Sequence, residues 1–352
     1  MSYLLVALRI LTALAGIWLI FVTVSAAIRS FVLPRSETVR LNVFIFSTVR
    51  LVFDLAARSA RNYAQRDRIM AHYAPVALVA LPIFWEALVG LGYTGIYWAL
   101  GEGTWGACYR MSSSYLLTLG TDKLTGTGAV VLGYSEASLG LLLLTLLLSY
   151  LPTIYQAFSR REVTVARLEL RAGTPATAVA LLVWLHRNGG LDNDSEQWAA
   201  WEQWFVEIEE SHTSLPILTF FRSPQPGRSW VTAGGLVLDA ANLLFSALEG
   251  APDRQVELAF KAGNLALNRV YRFFDVQLGT EPPALPAVAA DPVEAPGRAD
   301  FLTACDELAA AGLPVCPDRA VAWQHYQERR SRYAPAVEFL ALLTMAPGSK
   351  PV

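Results

Sequence analysis

The chain has 352 residues, of which 54% are hydrophobic and 16% are charged, and its net charge is −2. Soluble proteins carry about 25% charged residues, so this composition is typical of a membrane protein. A charge this close to zero gives no electrostatic argument for nucleic acid as a partner. Apolar residues concentrate before residue 160 and charged residues after it, which predicts a membrane-embedded part followed by a second domain.

Three segments are apolar enough and long enough to span a bilayer, which requires about 20 residues. They are Leu4–Ile28, Tyr73–Leu100 and Tyr134–Phe158. A cleaved signal peptide is the alternative for the first segment, but its weak basic region and long apolar run favour a retained helix. Leu41–Leu55 is shorter and carries Arg50 and Asp54, so an amphipathic helix in the membrane plane is expected there.

Basic residues cluster at positions 29–68 and again at 160–171. By the positive-inside rule, this pattern places the N-terminus outside and the C-terminal region in the cytoplasm. We therefore expect a multi-pass protein of the cell membrane. Arg160 and Arg161 are interpreted as marking the cytosolic interface, with contact to lipid headgroups as a secondary role.

The segment between the second and third spans has the parts of a re-entrant pore loop. A short stretch, Thr104–Leu117, leads into Thr118-Leu119-Gly120-Thr121-Asp122, which we call the filter-like string. Irregular backbone at membrane depth is tolerated only where it lines a water-filled path or is buried in protein. Threonine hydroxyls and carbonyls turned inward by a glycine replace the hydration shell of a cation. Asp122 is expected at the outer mouth, where it raises the local cation concentration.

The short stretch before the string is predicted to be a pore helix, whose partly negative C-terminal end favours a cation. Ser112, Ser113 and Ser114 either line the back of this helix or satisfy backbone groups in a tight site. Glu136 is an acid at the start of the third span, and acids in membranes are expensive and usually functional. We expect Glu136 to tether the pore loop from behind rather than to contact an ion.

This arrangement resembles the two-transmembrane pore domain of the potassium-channel superfamily over about residues 73–162. Thr118, Leu119, Gly120 and Asp122 match the Thr, Val, Gly and final Asp of T-V-G-Y-G-D, while Thr121 replaces the aromatic residue and the second glycine is missing. The resemblance implies a homotetramer in the lipid bilayer, with the filter on the fourfold axis. Only part of the carbonyl stack can be built, so weakly selective passage of K⁺ or Na⁺ is expected.

Two residues of the third span are candidates for gating. Gly140 lies where many such channels have a hinge glycine, and close helix packing is the alternative explanation. Pro152 is expected to kink the helix near its cytosolic end, where it either changes the width of a gate or ends the span.

The part after Glu162 has the pattern of an all-α domain, so the predicted fold is an all-α membrane protein with three transmembrane helices, a re-entrant pore helix and a helical cytosolic domain. Thr174-Pro175 is predicted to start one helix. A stripe of aromatic and aliphatic residues at helical spacing in Ser195–Glu210 is interpreted as core rather than as a ligand cage. The remaining predicted helices are Ser229–Glu249, Pro252–Val276, Arg298–Ala311 and Asp318–Met345. The expected divisions are residues 1–70, 71–160, 161–278, a linker at 279–297, and 298–352.

The function that this pattern favours is a cation channel gated by its cytosolic domain, for which an unknown cytosolic ligand is possible. A non-conducting, membrane-anchored sensor or scaffold that keeps the pore fold is the alternative. No phosphate-binding loop, dinucleotide turn, HExxH or nucleophile elbow is present, so an enzyme is not expected. Three cysteines without metal-ligand spacing are interpreted as structural thiols, and neither a cofactor nor a structural metal is expected.

Overall fold

A computed structural model describes residues 3–31, 39–121, 126–189, 194–250, 252–278 and 297–347. The described residues contain helices joined by turns and loops and no β-strand, although an isolated bridge pairs Leu248 with Val315. The helices are α1 Tyr3–Phe31, α2 Arg40–Arg58, α3 Tyr63–Ala71, α4 Tyr73–Leu100, α5 Trp105–Leu116, α6 Thr127–Ala172, α7 Ala178–Asn188, α8 Ser195–Ser214, a 3₁₀ helix Pro216–Phe220, α9 Trp230–Ser246, α10 Arg254–Leu278, α11 Arg298–Ala310, α12 Arg319–Arg330 and α13 Ala334–Thr344.

Three helical stretches within the described residues are long and apolar enough to cross a membrane. They are Tyr3–Ser30, Tyr63–Leu100 and Thr127–Ala172. This confirms the expected all-helical class and the expectation of three helices of membrane-spanning length.

The chain divides into two compact units. The first unit comprises Met1–Ala60 and Arg68–Tyr155, and the second comprises Arg61–Asp67 and Gln156–Val352. Helix α6 contributes residues to both units.

The first unit is built around α4, against which α1, α2 and α5 pack. Glycines let α1 approach α4 closely: a Cβ on Gly92 would lie 2.9 Å from the carbonyl oxygen of Gly16 and 2.6 Å from the Ile20 side chain. Small residues at helix contacts are typical of membrane proteins, where packing replaces the hydrophobic driving force. Trp85 and Tyr97 of α4 are fully buried in this unit.

The second unit has its own hydrophobic core, in which α8 packs on α10 and α9 packs on α10, α12 and α13. The predicted α8 stripe lies in that core, which confirms the structural interpretation of these residues. Its members are Trp198, Trp201, Trp204, Phe205 and Ile208, all at most 3% exposed.

Three helix boundaries predicted from the third span onward are wrong. Helix α6 continues from the third span to Ala172, because the charged residues that mark the end of a span do not break a helix. Helix α7 begins at Ala178, where the Thr177 hydroxyl accepts a hydrogen bond from the Ala180 N–H at 3.1 Å, so Thr174 is not the cap.

The third correction concerns the helix predicted over Asp318–Met345, which is divided into α12 and α13. The division coincides with Tyr333, which is 1% exposed and whose hydroxyl donates to Asp239 of α9 at 2.5 Å. Pro335 in the first turn of α13 accounts for the division, because proline has no N–H for the helical ladder and its ring clashes with the carbonyl group four residues earlier. Residues 279–296 of the predicted 279–297 linker lie outside the described residues, while Gly297 directly precedes α11.

Candidate functional site

Helix α5 runs back along α4 after the short turn at residues 101–104. Gly101 ends α4 in the left-handed conformation, with φ of 88°, and the Thr104 hydroxyl caps α5 by accepting from the Ala107 N–H at 3.4 Å. The Ser112 hydroxyl lies 2.9 Å from the carbonyl oxygen of Gly90, ten residues before the end of α4. At a rise of 1.5 Å per residue, this contact is about 15 Å from the end of α4.

The C-terminal end of α5 lies against α6 at Gly140. A Cβ at this position would collide with the carbonyl oxygen of Leu116, the last residue of α5. Gly140 is thirteen residues after the start of α6, or about 20 Å along it. The absence of a side chain at Gly140 is therefore what permits close packing of α5 on α6.

A fully buried acid joins α4, α5 and α6. Glu136 of α6 is 0% exposed, and its carboxyl group accepts a hydrogen bond from the Tyr97 hydroxyl of α4 at 3.0 Å. The Ser112 hydroxyl of α5 contacts the other carboxyl oxygen. Burying a carboxyl group is costly unless hydrogen bonds compensate it, and these two hydroxyls supply that compensation. Glu136 thus lies behind α5 and makes no contact with the filter-like string among the residues described.

The chain after α5 forms an irregular turn that Ser114 holds in place. Thr118 and Gly120 are left-handed, with φ of 56° and 62°. The Leu119 N–H donates to the Ser114 carbonyl at 2.8 Å, and the Thr121 N–H donates to the Ser114 hydroxyl at 2.8 Å. The hydroxyls of Ser114 and Thr121 also share a hydrogen bond of 2.8 Å. This turn keeps all its side chains from position 117 to 121 exposed in the single chain.

The remaining predicted site residues are Ser113, Pro152 and Asp122. Ser113 is half-buried and takes part in neither of the two hydrogen-bonded groups above, as far as the structure describes them. Pro152 lies inside α6, which continues for twenty residues beyond it. Asp122 lies outside the described residues. The structure thus brings Ser112, Ser114, Glu136, Gly140 and the turn together around α5.

Sequence reasoning missed Tyr97 as a partner of Glu136. A usable signal was present, because Tyr93 and Tyr97 lie one turn apart on α4 and contact the adjacent residues Ser135 and Glu136. Two matched polar pairs on facing apolar helices are the pattern of an interhelical hydrogen-bonded contact.

Arg161 of α6 is buried in the second unit, so contact with lipid headgroups is wrong for this residue. It is 3% exposed, and its guanidinium donates to the carbonyls of Leu218 at 2.8 Å and Phe221 at 2.6 Å. The same group lies 3.1 Å from His212 Nε2 and forms an ion pair with Glu162 at 2.8 Å. The planar guanidinium of Arg161 presents several N–H donors in a fixed arrangement, which a lysine does not have, and so binds several groups of this unit at once.

His212 is neutral in this arrangement. Arg161 can only donate, so His212 Nε2 accepts and the proton lies on Nδ1, which is 3.0 Å from the carbonyl oxygen of Ile208. Burial, followed by the nearby Arg161 charge, lowers the pKa of His212 well below its usual value of 6.5. Sequence reasoning had no signal for the pairing, since the two residues lie 51 positions apart.

Within the described part of the chain, no three His, Cys, Asp or Glu side chains come together as a metal site would require. The three cysteines are free thiols, and Cys108 and Cys305 are buried. The polar groups described around α5 are the hydroxyls of Tyr97, Ser112 and Ser114, backbone carbonyls and the Glu136 carboxyl group.

No protein-family model matches the sequence, and no curated protein or solved structure matches the chain. Functional inference for this protein therefore rests on its own residues and their geometry.

Proposed function

We propose that this protein is a homotetrameric, weakly selective cation channel in which residues 117–121 line the ion path. One observation carries the proposal: an irregular, exposed turn follows a short helix that runs back between two helices of membrane-spanning length. The order of these elements is the one expected from the resemblance to the potassium-channel pore domain.

The depth of the turn supports this function. The hydrocarbon core of a bilayer is about 30 Å thick. Ser112 contacts α4 about 15 Å from its end, so α5 ends close to the middle of the membrane if α4 spans it. Irregular backbone at this depth requires a water-filled path or surrounding protein. Because residues 117–121 are exposed in the single chain, further copies of the chain and a central path would meet that requirement.

The chemistry of the turn suits a cation. The C-terminal end of α5 carries the negative end of the helix dipole, while its Ser113, Ser114 and Tyr115 carbonyls accept hydrogen bonds from the turn. Thr118 and Thr121 add hydroxyl oxygens, and the left-handed Gly120 reorients the backbone between them. Carbonyl and hydroxyl oxygens replace lost hydration, and a short string provides few such layers, which favours weak selectivity.

The continuity of α6 supports the proposal of gating by the helical domain. This helix runs without interruption from Thr127 to Ala172 and supplies Arg161 to the core of the second unit. A rearrangement of that core would move the same helix that packs on α5 at Gly140.

Ion flux tests the proposal. The purified protein is reconstituted into liposomes, and potassium, sodium and chloride gradients are applied separately. We expect cation flux that Gly120→Asp abolishes, because a carboxylate side chain at a left-handed position disrupts the turn. Gly106→Asp is the matched control, since Gly106 lies in the first turn of α5 with no neighbour within 4 Å of an added Cβ. Chloride flux, or equal flux from Gly120→Asp, would refute the proposal.

A non-conducting sensor or scaffold is the second candidate, and the missing residue of the filter-like string favours it. It predicts an intact tetramer with no flux under any gradient, ligand or voltage. A tetramer measured by mass, together with a silent liposome assay, would support it over the channel.

A further inference from the structure

A short stretch of the second unit contacts both α3 and α6. We call residues 218–222 the connecting segment; it comprises the end of the 3₁₀ helix and the two residues that follow it. The residues of α3 and α6 that it contacts belong to the same unit. Helix α3 leads into α4, which precedes α5, and α6 follows α5 in the chain. One segment thus contacts both of the chain regions that border α5 in sequence.

The connecting segment is fixed to α6 by hydrogen bonds and a ring contact. The Arg161 guanidinium donates to the carbonyls of Leu218 at 2.8 Å and Phe221 at 2.6 Å. The Leu218 carbonyl also accepts from the Phe221 N–H at 3.1 Å, which closes the last turn of the 3₁₀ helix. The ring centroids of Phe221 and Phe158 of α6 lie 5.7 Å apart. A displacement of α6 at Arg161 would therefore displace Phe221.

The next residue, Arg222, fixes the connecting segment to α3. It forms an ion pair with Asp67 of α3, and the two side chains are only 12% and 14% exposed. Salt screens a pair this little exposed less than it screens a surface pair. Arg222 Nη2 also donates to the Thr344 carbonyl at 2.6 Å, at the end of α13, where helix carbonyls lack helical partners. Because α13 holds the guanidinium, Asp67 docks on a donor with a fixed position.

Helix α3 is joined to α4 without a break in hydrogen bonding. His72, between the two helices, has helical backbone angles, with φ of −85° and ψ of −15°. Its N–H donates to the Ile69 carbonyl at 3.2 Å, and its carbonyl accepts from the Val76 N–H at 3.0 Å. A displacement of α3 at Asp67 would therefore be passed on to the start of α4.

We propose that the connecting segment couples α6 to α3, with Asp67 and Arg222 as the positioning residues of this coupling. The α carbons of Phe221 and Arg222 are about 3.8 Å apart across one rigid peptide bond, so neither contact moves without the other. On the proposed channel function, on which this consequence rests, the second unit would act on both helices that border α5 rather than on α6 alone. The coupling itself does not depend on conduction.

Hydrogen–deuterium exchange of the purified full-length protein in detergent tests the coupling. Asp67→Asn removes the charge that Arg222 binds at nearly constant volume. We expect the amides of residues 217–222 and of residues 158–165 in α6 to exchange about threefold faster, because exchange reports local opening and the loosened segment holds α6 less firmly. Asp67→Glu restores the charge and should return both regions toward the wild-type rates.

Glu209→Gln is the matched control, because it removes an ion pair of the same unit that joins α8 to Arg269 of α10. It should leave the amides of residues 158–165 at the wild-type rate. Helix α11 reports general loosening of the unit and should be unchanged in Asp67→Asn. Unchanged exchange of residues 158–165 in Asp67→Asn, or an equal increase in α11, would overturn the proposal.

The reverse direction is tested at Arg161, since coupling between two sites is reciprocal. Arg161→Lys keeps the charge and loses the planar fork that binds two carbonyls. We expect faster exchange of residues 64–70 in α3, although the described hydrogen bonds and ion pairs of Arg161 do not include this helix. Arg160→Lys, at an exposed position, is the control. An increase confined to α6 and the connecting segment would contradict the coupling.

Ion flux in liposomes then separates the coupling from the channel function. We expect potassium flux to change about threefold in Asp67→Asn and to stay at the wild-type level in Glu209→Gln. Coupled exchange without flux from any variant would refute the channel and leave the coupling in place. Flux in the wild type without coupled exchange would refute the coupling and leave the channel in place.

Discussion

The Ser112 hydroxyl of α5 contacts the Glu136 carboxyl group of α6, and both side chains are completely buried. With the Tyr97 hydroxyl at 3.0 Å on the other carboxyl oxygen, this contact ties three helices together directly behind α5. The position of the turn after α5 therefore depends on a polar group that the turn itself does not contact.

Ser112→Ala should destabilise the protein, because it removes one of the two hydroxyls that compensate the buried Glu136 carboxyl group. An unsatisfied buried acceptor costs about 1–3 kcal/mol. Thermal unfolding in detergent measures the effect. Ser113→Ala is the control on the neighbouring, half-buried position, and it should change the unfolding free energy by less than about 0.5 kcal/mol. Equal effects of the two substitutions would show that Glu136 does not depend on Ser112.

Gly140→Ala should separate α5 from α6, because the new methyl group would meet the backbone carbonyl of Leu116 rather than a flexible side chain. We expect cation flux to fall at least tenfold, since the end of α5 positions the turn. Gly128→Ala is the matched control in the same helix, with no atom within 4 Å of the added Cβ. Normal flux through the Gly140→Ala variant would mean that contact with α5 is not needed for conduction.

Arg161→Met should strongly destabilise the second unit, because the carbonyls of Leu218 and Phe221 lose their donor while remaining buried. Breaking one side of a buried charged network costs about 3–5 kcal/mol. The neighbouring Arg160 is exposed, so Arg160→Met should have an effect below about 0.5 kcal/mol. Chemical denaturation followed by tryptophan fluorescence reports on this unit, whose core contains Trp198, Trp201 and Trp230. Similar denaturation midpoints for both variants would contradict the assigned role of Arg161.

Stability should fall in mild acid because of His212. Its pKa is lowered well below 6.5 in the folded protein by burial and by Arg161, so the unfolded chain binds the proton more readily. Proton binding by His212 in the unfolded chain therefore lowers the free energy of unfolding. The loss is negligible above about pH 7 and reaches about 1.4 kcal/mol one pH unit below 6.5.

Unfolding temperatures measured between pH 7.5 and pH 5.5 check this dependence. His212→Gln should flatten the acid limb, because glutamine does not titrate. The control is His325→Gln, which replaces an exposed histidine and should keep the wild-type slope. An acid limb that persists unchanged in His212→Gln would exclude this histidine as its cause.

Local sequence patterns correctly predicted those helices whose ends and buried faces depend on residues close together in the sequence. The bounds of α4 were predicted as Tyr73–Leu100, and the aromatic stripe of α8 was assigned to the core because helical spacing alone produces a buried face. The extension of α6 to Ala172 was missed, since arginine, glutamate and leucine continue a helix although they end an apolar span.

The break between α12 and α13 was missed although Pro335, in the first turn of α13, is a local signal for it. Contacts between distant residues accounted for the remaining misses. Around α5, residue types indicated that Ser112, Ser114 and Glu136 support the segment, but the partners Tyr97, Gly90 and Thr121 depend on packing in three dimensions. Helical periodicity specifies which face is buried and leaves open what that face contacts.

Current recording from single channels in planar bilayers tests the central claim that residues 117–121 line a cation path. Thr121→Cys is compared with Val131→Cys, an exposed position in the first turns of α6, and a charged thiol reagent is added from each side. We expect currents whose reversal potential follows the cation gradient and that the reagent blocks in Thr121→Cys only. Absence of current, reversal that follows chloride, or equal insensitivity of both variants would contradict the claim.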